Sequence, residues 1–121
     1  MKITIDTNFL MSILTYKVDL YSELDRVCDF KYELAVIDKT IDELKKIQEV
    51  GKGKDKRTAK LALDIIRAKG IKQILSKEEN VDDAIVAEKN SAVATNDRDL
   101  IARLKGRKII RLRAKRYLMI Q

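Results

Sequence analysis

The stretch Lys2-Ile3-Thr4-Ile5-Asp6-Thr7-Asn8, near the start of the chain, indicates how the rest of the protein is arranged. Its β-branched residues Ile3, Thr4 and Ile5 favour a strand, and that strand ends at an acidic residue, Asp6. Apolar residues at helical spacing follow at once, so a helix is expected to begin where the strand stops. This junction of strand, acid and helix recurs along the sequence.

Three later acidic residues stand in similar surroundings, at or just after an apolar run and where a helix is expected to begin. They are Glu43 in Thr40-Ile41-Asp42-Glu43, Asp83 in Asn80-Val81-Asp82-Asp83, and Asp97 in Thr95-Asn96-Asp97-Arg98-Asp99. In α/β folds, ligands bind outside the carboxyl ends of parallel strands. The junctions would therefore bring all four acids to one edge of a sheet.

The order of the predicted elements favours a parallel sheet. Strands are expected at 2–5, 32–37, 71–75, 92–95 and 108–112, and helices at 7–16, 18–28, 40–50, 57–69, 80–87 and 98–105. This alternation is typical of an α/β fold with three α/β/α layers and a mostly parallel central sheet of about five strands. Residues 51–56 are predicted to form a flexible loop, and residues 113–121 a short helix or an edge strand. With 121 residues, the chain is most simply one domain, 1–121.

Four carboxylates in one place repel one another and raise one another's pKa unless a cation offsets their charge. Thr7, Asn8, Thr95 and Asn96 put further oxygen donors beside them. The chain has no His and only one Cys, Cys28, which disfavours zinc and rules out Ser–His and Cys–His centres. Oxygen donors suit hard ions such as Mg²⁺ or Mn²⁺, so the sequence predicts a divalent metal site.

Each acid also has a structural explanation, because acidic residues are favoured at helix starts. Asp6 and Asp97 could each cap the helix that follows. Thr40-x-x-Glu43 has the form of a capping box, and Asp83 lies three residues after Asn80, another candidate cap. The two interpretations are compatible, since a carboxylate at a helix start need not use both oxygens for capping.

The net charge of +7 is unevenly distributed. Residues 1–50 carry 7 Lys/Arg and 10 Asp/Glu, whereas residues 51–121 carry 19 and 9. No acid follows Asp99, but eight basic residues do: Arg103, Lys105, Arg107, Lys108, Arg111, Arg113, Lys115 and Arg116. A basic half beside an acidic site favours a polyanionic partner, with nucleic acid the leading candidate, although these charges could simply keep the protein soluble. The sequence has no membrane-spanning run and no signal peptide, so no membrane partner and a cytoplasmic location are expected.

Taken together, the acidic motifs resemble the signature of PIN domains. The matching residues are Asp6-Thr7-Asn8-Phe9-Leu10, Glu43, Asp83-Ala84-Ile85-Val86-Ala87 and Val93-Ala94-Thr95-Asn96-Asp97-Arg98-Asp99-Leu100, in that order across nearly the whole chain. The resemblance implies a Rossmann-like fold and Mg²⁺- or Mn²⁺-dependent endoribonuclease activity. PIN domains include VapC toxins, which pair with antitoxins, and nucleases that process ribosomal RNA precursors. Residues 95–100 and the basic tail 113–118 are more similar to archaeal relatives of the second kind.

The resemblance assigns Asp6, Glu43, Asp83 and Asp97 as catalytic metal ligands. Asp83 is preferred to Asp82 because it holds the family position before Ala-Ile, and adjacent helical residues, about 100° apart, cannot face one ion equally.

The resemblance also gives supporting roles to nearby residues. Thr95 and Asn96 would support the site, Asn8 would hydrogen-bond to Asp6, and Asp82 and Asp99 would be additional acids. Four basic residues would bind the substrate backbone: Arg98, Arg113, Lys115 and Arg116. The implied reaction is in-line attack by metal-activated water on RNA of the ribosomal or transfer class, leaving a 5′-phosphate and a 3′-hydroxyl.

Two alternatives belong to other functional classes. The domain could be a non-catalytic RNA-binding or ribosome-assembly module with a vestigial metal site, or a phospho-acceptor receiver domain, although the Lys expected near the last strand of a receiver has no clear counterpart. The resemblance also allows an antitoxin partner and a homodimer. The homodimer is supported by the apolar residues at 7–28, which alternatively belong to the core: Leu10, Met11, Leu14, Tyr16, Leu20 and Tyr21.

Overall fold

The opening stretch lies at the centre of a six-stranded sheet in the computed structural model, which describes residues 1–121. The strands are β1 (Lys2–Ile5), β2 (Glu33–Ile37), β3 (Lys72–Ile74), β4 (Ser91–Ala94), β5 (Ile109–Arg113) and β6 (Tyr117–Ile120). Their order across the sheet is β3-β2-β1-β4-β5-β6, with β1 to β5 parallel and β6 antiparallel to β5. The predicted α/β class and mostly parallel sheet are confirmed, with one strand more than the five expected.

Six helices cover the two faces of the sheet. They are α1 (Thr7–Thr15), α2 (Leu20–Val27), α3 (Asp38–Val50), α4 (Gly53–Ala68), α5 (Val81–Ala87) and α6 (Arg98–Ala102). Successive strand residues point to opposite faces, so a central strand such as β4 contributes to two cores. Ala92 and Ala94 belong to a cluster of 19 buried residues shared with α1 to α4, whereas Val93 belongs to a cluster of 8 shared with α5 and α6. None of the helices is both long and apolar enough to cross a membrane.

The predicted flexible loop at 51–56 is wrong, because α4 begins at Gly53 and only Gly51 and Lys52 separate it from α3. The close turn depends on Gly51, where a Cβ atom would lie 2.3 Å from the carbonyl oxygen of Ile47. The lysines of this segment lie on the exposed first turn of a helix. Their composition resembles that of a loop because exposed helical positions and loops select the same polar residues.

The predicted capping box at Thr40-x-x-Glu43 is also wrong, because α3 begins at Asp38. Ile37 occupies the N-cap position without a side-chain cap. The Asp38 carboxylate instead accepts hydrogen bonds from the hydroxyl and the backbone N–H of Ser76, beyond β3. Thr40 therefore lies within the first turn of α3 and is fully buried, which frees it for another role.

The tail forms an edge strand, the second of the two predicted possibilities. Ala114 and Lys115 have φ angles of 52° and 55° in the three-residue loop 114–116, and β6 returns beside β5 with Tyr117 opposite Arg113. Leu118 is completely buried in the larger core. Arg26 of α2 donates a hydrogen bond to the Leu118 carbonyl oxygen, so the hairpin is held by both apolar packing and hydrogen bonding.

Candidate functional site

Asp6 occupies the N-cap position of α1 but does not cap that helix with its side chain. Its carboxylate accepts a 2.9 Å hydrogen bond from the hydroxyl of Thr95, which follows the neighbouring strand β4. The Asp6 residue is only 5% exposed. The capping explanation therefore does not account for this acid, whose charge lies at the junction of the two central strands.

Burial raises the pKa of Asp6 from 3.8 to about 6. The Thr95 hydrogen bond opposes this rise, whereas Asp82, Asp97 and Glu43 add to it through their negative charges. All three acids must therefore lie close enough to affect Asp6 electrostatically. The strand–helix junctions do gather carboxylates at one edge of the sheet, at an electrostatic cost that the charge of Arg103 offsets only in part, at Asp82.

Glu43 is aimed at the site by a chain of buried hydroxyl groups. The Thr7 hydroxyl donates to Glu43 Oε1 at 2.8 Å and lies 2.9 Å from the Thr40 hydroxyl. A hydroxyl has one hydrogen to donate, so Thr40 must be the donor to Thr7. This pair links the start of α1 to the first turn of α3 and fixes the direction of an otherwise exposed Glu43.

Asp97 caps α6 with one carboxylate oxygen. Its Oδ1 accepts the backbone N–H groups of Asp99 and Leu100 at 2.9 and 3.1 Å, and its own N–H donates to Thr95 Oγ1 at 3.0 Å. Its Oδ2 atom has no hydrogen-bond partner among the protein groups. Capping therefore uses only one of the two carboxylate oxygens of Asp97.

Asp82, not Asp83, faces the acidic cleft. Asp83 lies outside it and binds Arg103 of α6 at 2.8 Å and the Asn80 amide at 3.0 Å. These hydrogen bonds lower the pKa of Asp83, and the one from Arg103 has the larger effect. Burial, and to a smaller extent the charge of Asp97, raises the pKa of Asp82. Because α5 begins at Val81, the two acids point in directions about 100° apart. The assignment of Asp83 to the cleft does not match this geometry.

Two adjoining cavities open at the acids. The first, of about 230 Å³, contains Asp6, Asn8, Glu43, Asp82 and Asp97 in its lining. The second, of about 280 Å³, shares three of these residues and extends along α1 to Ser12. A larger cleft of about 700 Å³ lies between α3 and α4, but its one acid, Asp64, already pairs with Arg67. Of these three cavities, the first two combine open space with carboxylates that have no ion-pair partner.

The predicted supporting residues differ in whether they lie at the cleft or hold the backbone beside it. Thr95 contacts Asp6, whereas Asn8 lines the cleft without hydrogen-bonding to Asp6, so that part of the prediction is wrong. Asn96 forms paired hydrogen bonds with the backbone of Leu112, which joins the β4–α6 loop to β5. Asp99 contributes its backbone N–H to Asp97 and lines neither cavity.

The predicted substrate-binding residues are all exposed near this edge. Arg98 opens α6, and Arg113 ends β5. Lys115 lies over the ring of Tyr16 in a cation–π contact at 5.1 Å, and Arg116 lies in the hairpin turn. None of the four is in an ion pair with a protein carboxylate, since the four ion pairs of the chain involve Lys2, Arg26, Arg67 and Arg103.

The donor chemistry of the cleft fits a hard divalent ion, because Asp6, Glu43, Asp82 and Asp97 offer only oxygen atoms and no basic residue neutralises them. As they are placed here, the acidic side chains are too far apart for any three of them to hold one ion, and no His or Cys completes such a group. Around buried Asp6, Glu43 and Asp97 are exposed and Asp82 is half-buried.

Sequence reasoning missed the role of Thr40 and the pairing of Arg103 with Asp83. The Thr40 hydroxyl was assigned to a cap because its position in α3 depends on where that helix begins. Arg103 lies twenty residues from Asp83, so only the packing of α6 beside α5 reveals the pair. A basic residue at the C-cap of α6 carries no sequence signal for a partner that far away.

Comparison with known proteins shows that the chain is similar to other proteins along almost its whole length. The model of the family described as PIN like domain matches residues 3–115. Ribonuclease VapC4 of Methanocaldococcus jannaschii is 31% identical over 127 residues, which cover 98% of this chain and 95% of that protein. The solved structure of the PIN domain endonuclease Utp24 has a TM-score of 0.80 and 26% identity, over 99% of this chain and 90% of that one. The chain therefore belongs to the family of PIN-like domains.

Proposed function

We propose that this protein is a metal-dependent endoribonuclease whose ion, Mg²⁺ or Mn²⁺, is held by Asp6, Glu43, Asp82 and Asp97. The observation that carries the proposal is the absence of any Lys or Arg ion pair to these four acids, whereas Asp83 immediately beside them has one. An excess of negative charge around a buried carboxylate is a poor arrangement for stability and a suitable one for a divalent cation.

The residues of the chain have distinct parts in this proposal. Asp6 is the fixed ligand, because burial and Thr95 hold it in place, and Glu43 is oriented through Thr7 and Thr40. When bound, the ion lowers the pKa of a water molecule and stabilises the charge that develops on the phosphate. The chain has no His to act as a general base. Its own contribution is therefore to hold the carboxylates in position and to bind the RNA backbone.

The relatives support a role in nucleic-acid cleavage. One is a ribonuclease named VapC4 and the other a PIN domain endonuclease, Utp24. The first name supports RNA as the substrate, and RNA of the ribosomal or transfer class is the substrate we propose. An antitoxin partner and a homodimer remain proposals. The apolar residues cited for a homodimer are mostly used internally: Leu10 and Leu20 are buried, and Met11, Leu14 and Tyr21 pack against the core.

The decisive experiment measures cleavage of a structured RNA with Mn²⁺, with Mg²⁺ and with a chelator. Cleavage is expected only with a divalent ion, and Asp6→Asn is expected to lower its rate at least about 100-fold, the range known for weakening a metal site. Lys105→Gln, which changes an exposed charge at the opposite end of β5, serves as the control. Full activity of Asp6→Asn would overturn the proposed site. RNA binding without cleavage in any ion would favour a non-catalytic RNA-binding module.

A further inference from the structure

The β5–β6 hairpin has one covered face and one open face. Leu112 and Leu118 point into the larger core on the covered face. The residues that alternate with them form the other face, here called the hairpin face: Arg111, Arg113, Tyr117 and Met119. Cross-strand pairing places Arg111 opposite Met119 and Arg113 opposite Tyr117, so the four side chains form two adjacent pairs.

Large apolar groups on the hairpin face are open to solvent. Tyr117 is 40% exposed and Met119 38% exposed, and both are among the few large apolar residues of the chain that are not covered. Helix α2 packs on β6 from the side of buried Leu118, which leaves the hairpin face without a covering helix. An aromatic ring and a thioether beside two arginines form a surface with both apolar and cationic character.

Both arginines on this face lack partners. Neither guanidinium group is in a hydrogen bond or an ion pair with another protein group, and no acid occurs after Asp99 in the sequence. The Nε atom of half-buried Arg111 is a buried donor with no acceptor. Unsatisfied buried donors are rare in folded proteins. The charge of the hairpin face is therefore complementary to an anion that the chain does not itself supply.

The hairpin face is firmly connected to the acidic edge. The Asn96 side chain donates to the Leu112 carbonyl oxygen at 2.8 Å and accepts the Leu112 N–H at 2.9 Å. These bonds fix the residue just before Asp97 to the strand residue between Arg111 and Arg113. A chain of phosphates bound along the hairpin face would therefore continue toward Asp97 and the cleft.

We infer that the hairpin face binds single-stranded RNA next to the cleavage site, with Arg111 and Arg113 contacting phosphates and Tyr117 stacking on a base. This inference rests on the proposed function for the identity of the polyanion. Alternating cations and an exposed aromatic ring are the features with which proteins bind single strands without reading their sequence. A duplex would satisfy the arginines but would leave Tyr117 without an unpaired base to stack on.

Binding is tested by fluorescence anisotropy with a short labelled oligouridylate, in the presence of a chelator so that no cleavage occurs. Tyr117→Ala is expected to weaken binding about 5-fold or more, because stacking on an aromatic residue makes a large contribution for each base. Tyr117→Phe, which keeps the ring, should bind as the unaltered protein does. The salt dependence of Tyr117→Ala should be unchanged, since no phosphate contact is lost.

The arginines are tested through the salt dependence of the same binding. The double variant Arg111→Gln, Arg113→Gln should weaken binding and reduce the slope of log affinity against log salt by roughly 1.4, or about 0.7 for each phosphate contact to a single strand. Lys105→Gln, which changes an exposed residue of the α6–β5 loop outside the hairpin, should change the slope less than either arginine variant. The thermal midpoint of each variant is measured alongside, and Arg113→Gln alone avoids the half-buried Arg111 if the double variant is unfolded.

Four outcomes would overturn the inference. They are undetectable binding of the oligouridylate, binding by the arginine variants equal to that of Lys105→Gln, unchanged binding by Tyr117→Ala, and polyglutamate competing as well as RNA of equal charge. The last outcome would assign the hairpin face to an acidic protein partner. Cleavage is measured separately with Mn²⁺. Binding that depends on the hairpin face in a protein without cleavage would reject only the nuclease proposal.

Discussion

The acidic cleft and the contact between α5 and α6 lie side by side. Negative charge is disfavoured in the cleft and stabilised at the contact. In the cleft, Asp6 and Asp82 have raised pKa values because burial and neighbouring acids disfavour their charged forms. At the α5–α6 contact, Arg103 and Asn80 hold the pKa of Asp83 below its usual range. Since Asp82 and Asp83 are consecutive residues, side-chain direction alone assigns one to each region. Asp83, which has a partner, joins α5 to the end of α6, whereas Asp82, which has no ion pair, faces the cleft proposed to hold a cation.

The strongest test of this difference is to neutralise Asp82 and Asp83 one at a time. Asp82→Asn is expected to lower metal-dependent RNA cleavage about 100-fold or more, as for the loss of a metal ligand. Asp83→Asn should leave cleavage close to its normal rate and slightly lower the thermal midpoint, because it loses only the ion pair with Arg103. Cleavage rates and melting curves measured for both variants check this. A reversal of the two effects would return the ligand role to Asp83.

The dependence of protein stability on pH tests the electrostatic cost of the cleft without any substrate. The pKa of Asp6 is about 6 in the folded protein and near 3.8 in the unfolded chain. Between these values the folded state keeps a proton that the unfolded state has lost, so the contribution of Asp6 to stability falls as the pH rises. Below about pH 4 the penalty is absent, and above about pH 6 it reaches its full size, up to about 3 kcal/mol.

The variant Asp6→Asn removes this penalty. In a chelator it should be more stable than the unaltered protein at pH 7.5, and the difference should shrink to nothing near pH 4. Adding Mn²⁺ should stabilise the unaltered protein and leave the variant unchanged. Denaturant unfolding at several pH values gives the free energy of unfolding for both proteins. A difference that does not vary with pH would mean that Asp6 is not under electrostatic strain.

The smallest expected effect concerns the hydroxyl chain that orients Glu43. Thr40→Val keeps the shape of the side chain but leaves Thr7 without its donor, at a cost of about 1 kcal/mol in the free energy of unfolding. Cleavage should fall by on the order of 10-fold or less, since Thr7 can still donate to Glu43. Thr40→Ser keeps the hydroxyl and should behave nearly as the unaltered protein. Equal cleavage by all three proteins would show that Thr40 does not orient Glu43.

The fold was largely predictable, because the strands and long helices have strong periodic patterns. The errors occurred where local composition is ambiguous. The first turn of α4 has the lysines and glycine of a loop, and α3 begins before its apparent capping box because Asp38 finds a partner in Ser76, far away in the sequence. At α3 the contact made by the first helical residue lies outside the local sequence window. Residue composition cannot report such contacts.

The amino-acid sequence was enough to predict which edge of the sheet carries the acids, since each acid follows a strand of a parallel sheet and the carboxyl ends of the strands share an edge. It also determined the donor chemistry, because a chain without His leaves oxygen as the available ligand. Only the tertiary structure decided which acid of the pair at 82 and 83 faces the cleft. That choice depends on the rotation of α5 and on Arg103 arriving from α6, neither of which a one-dimensional pattern contains.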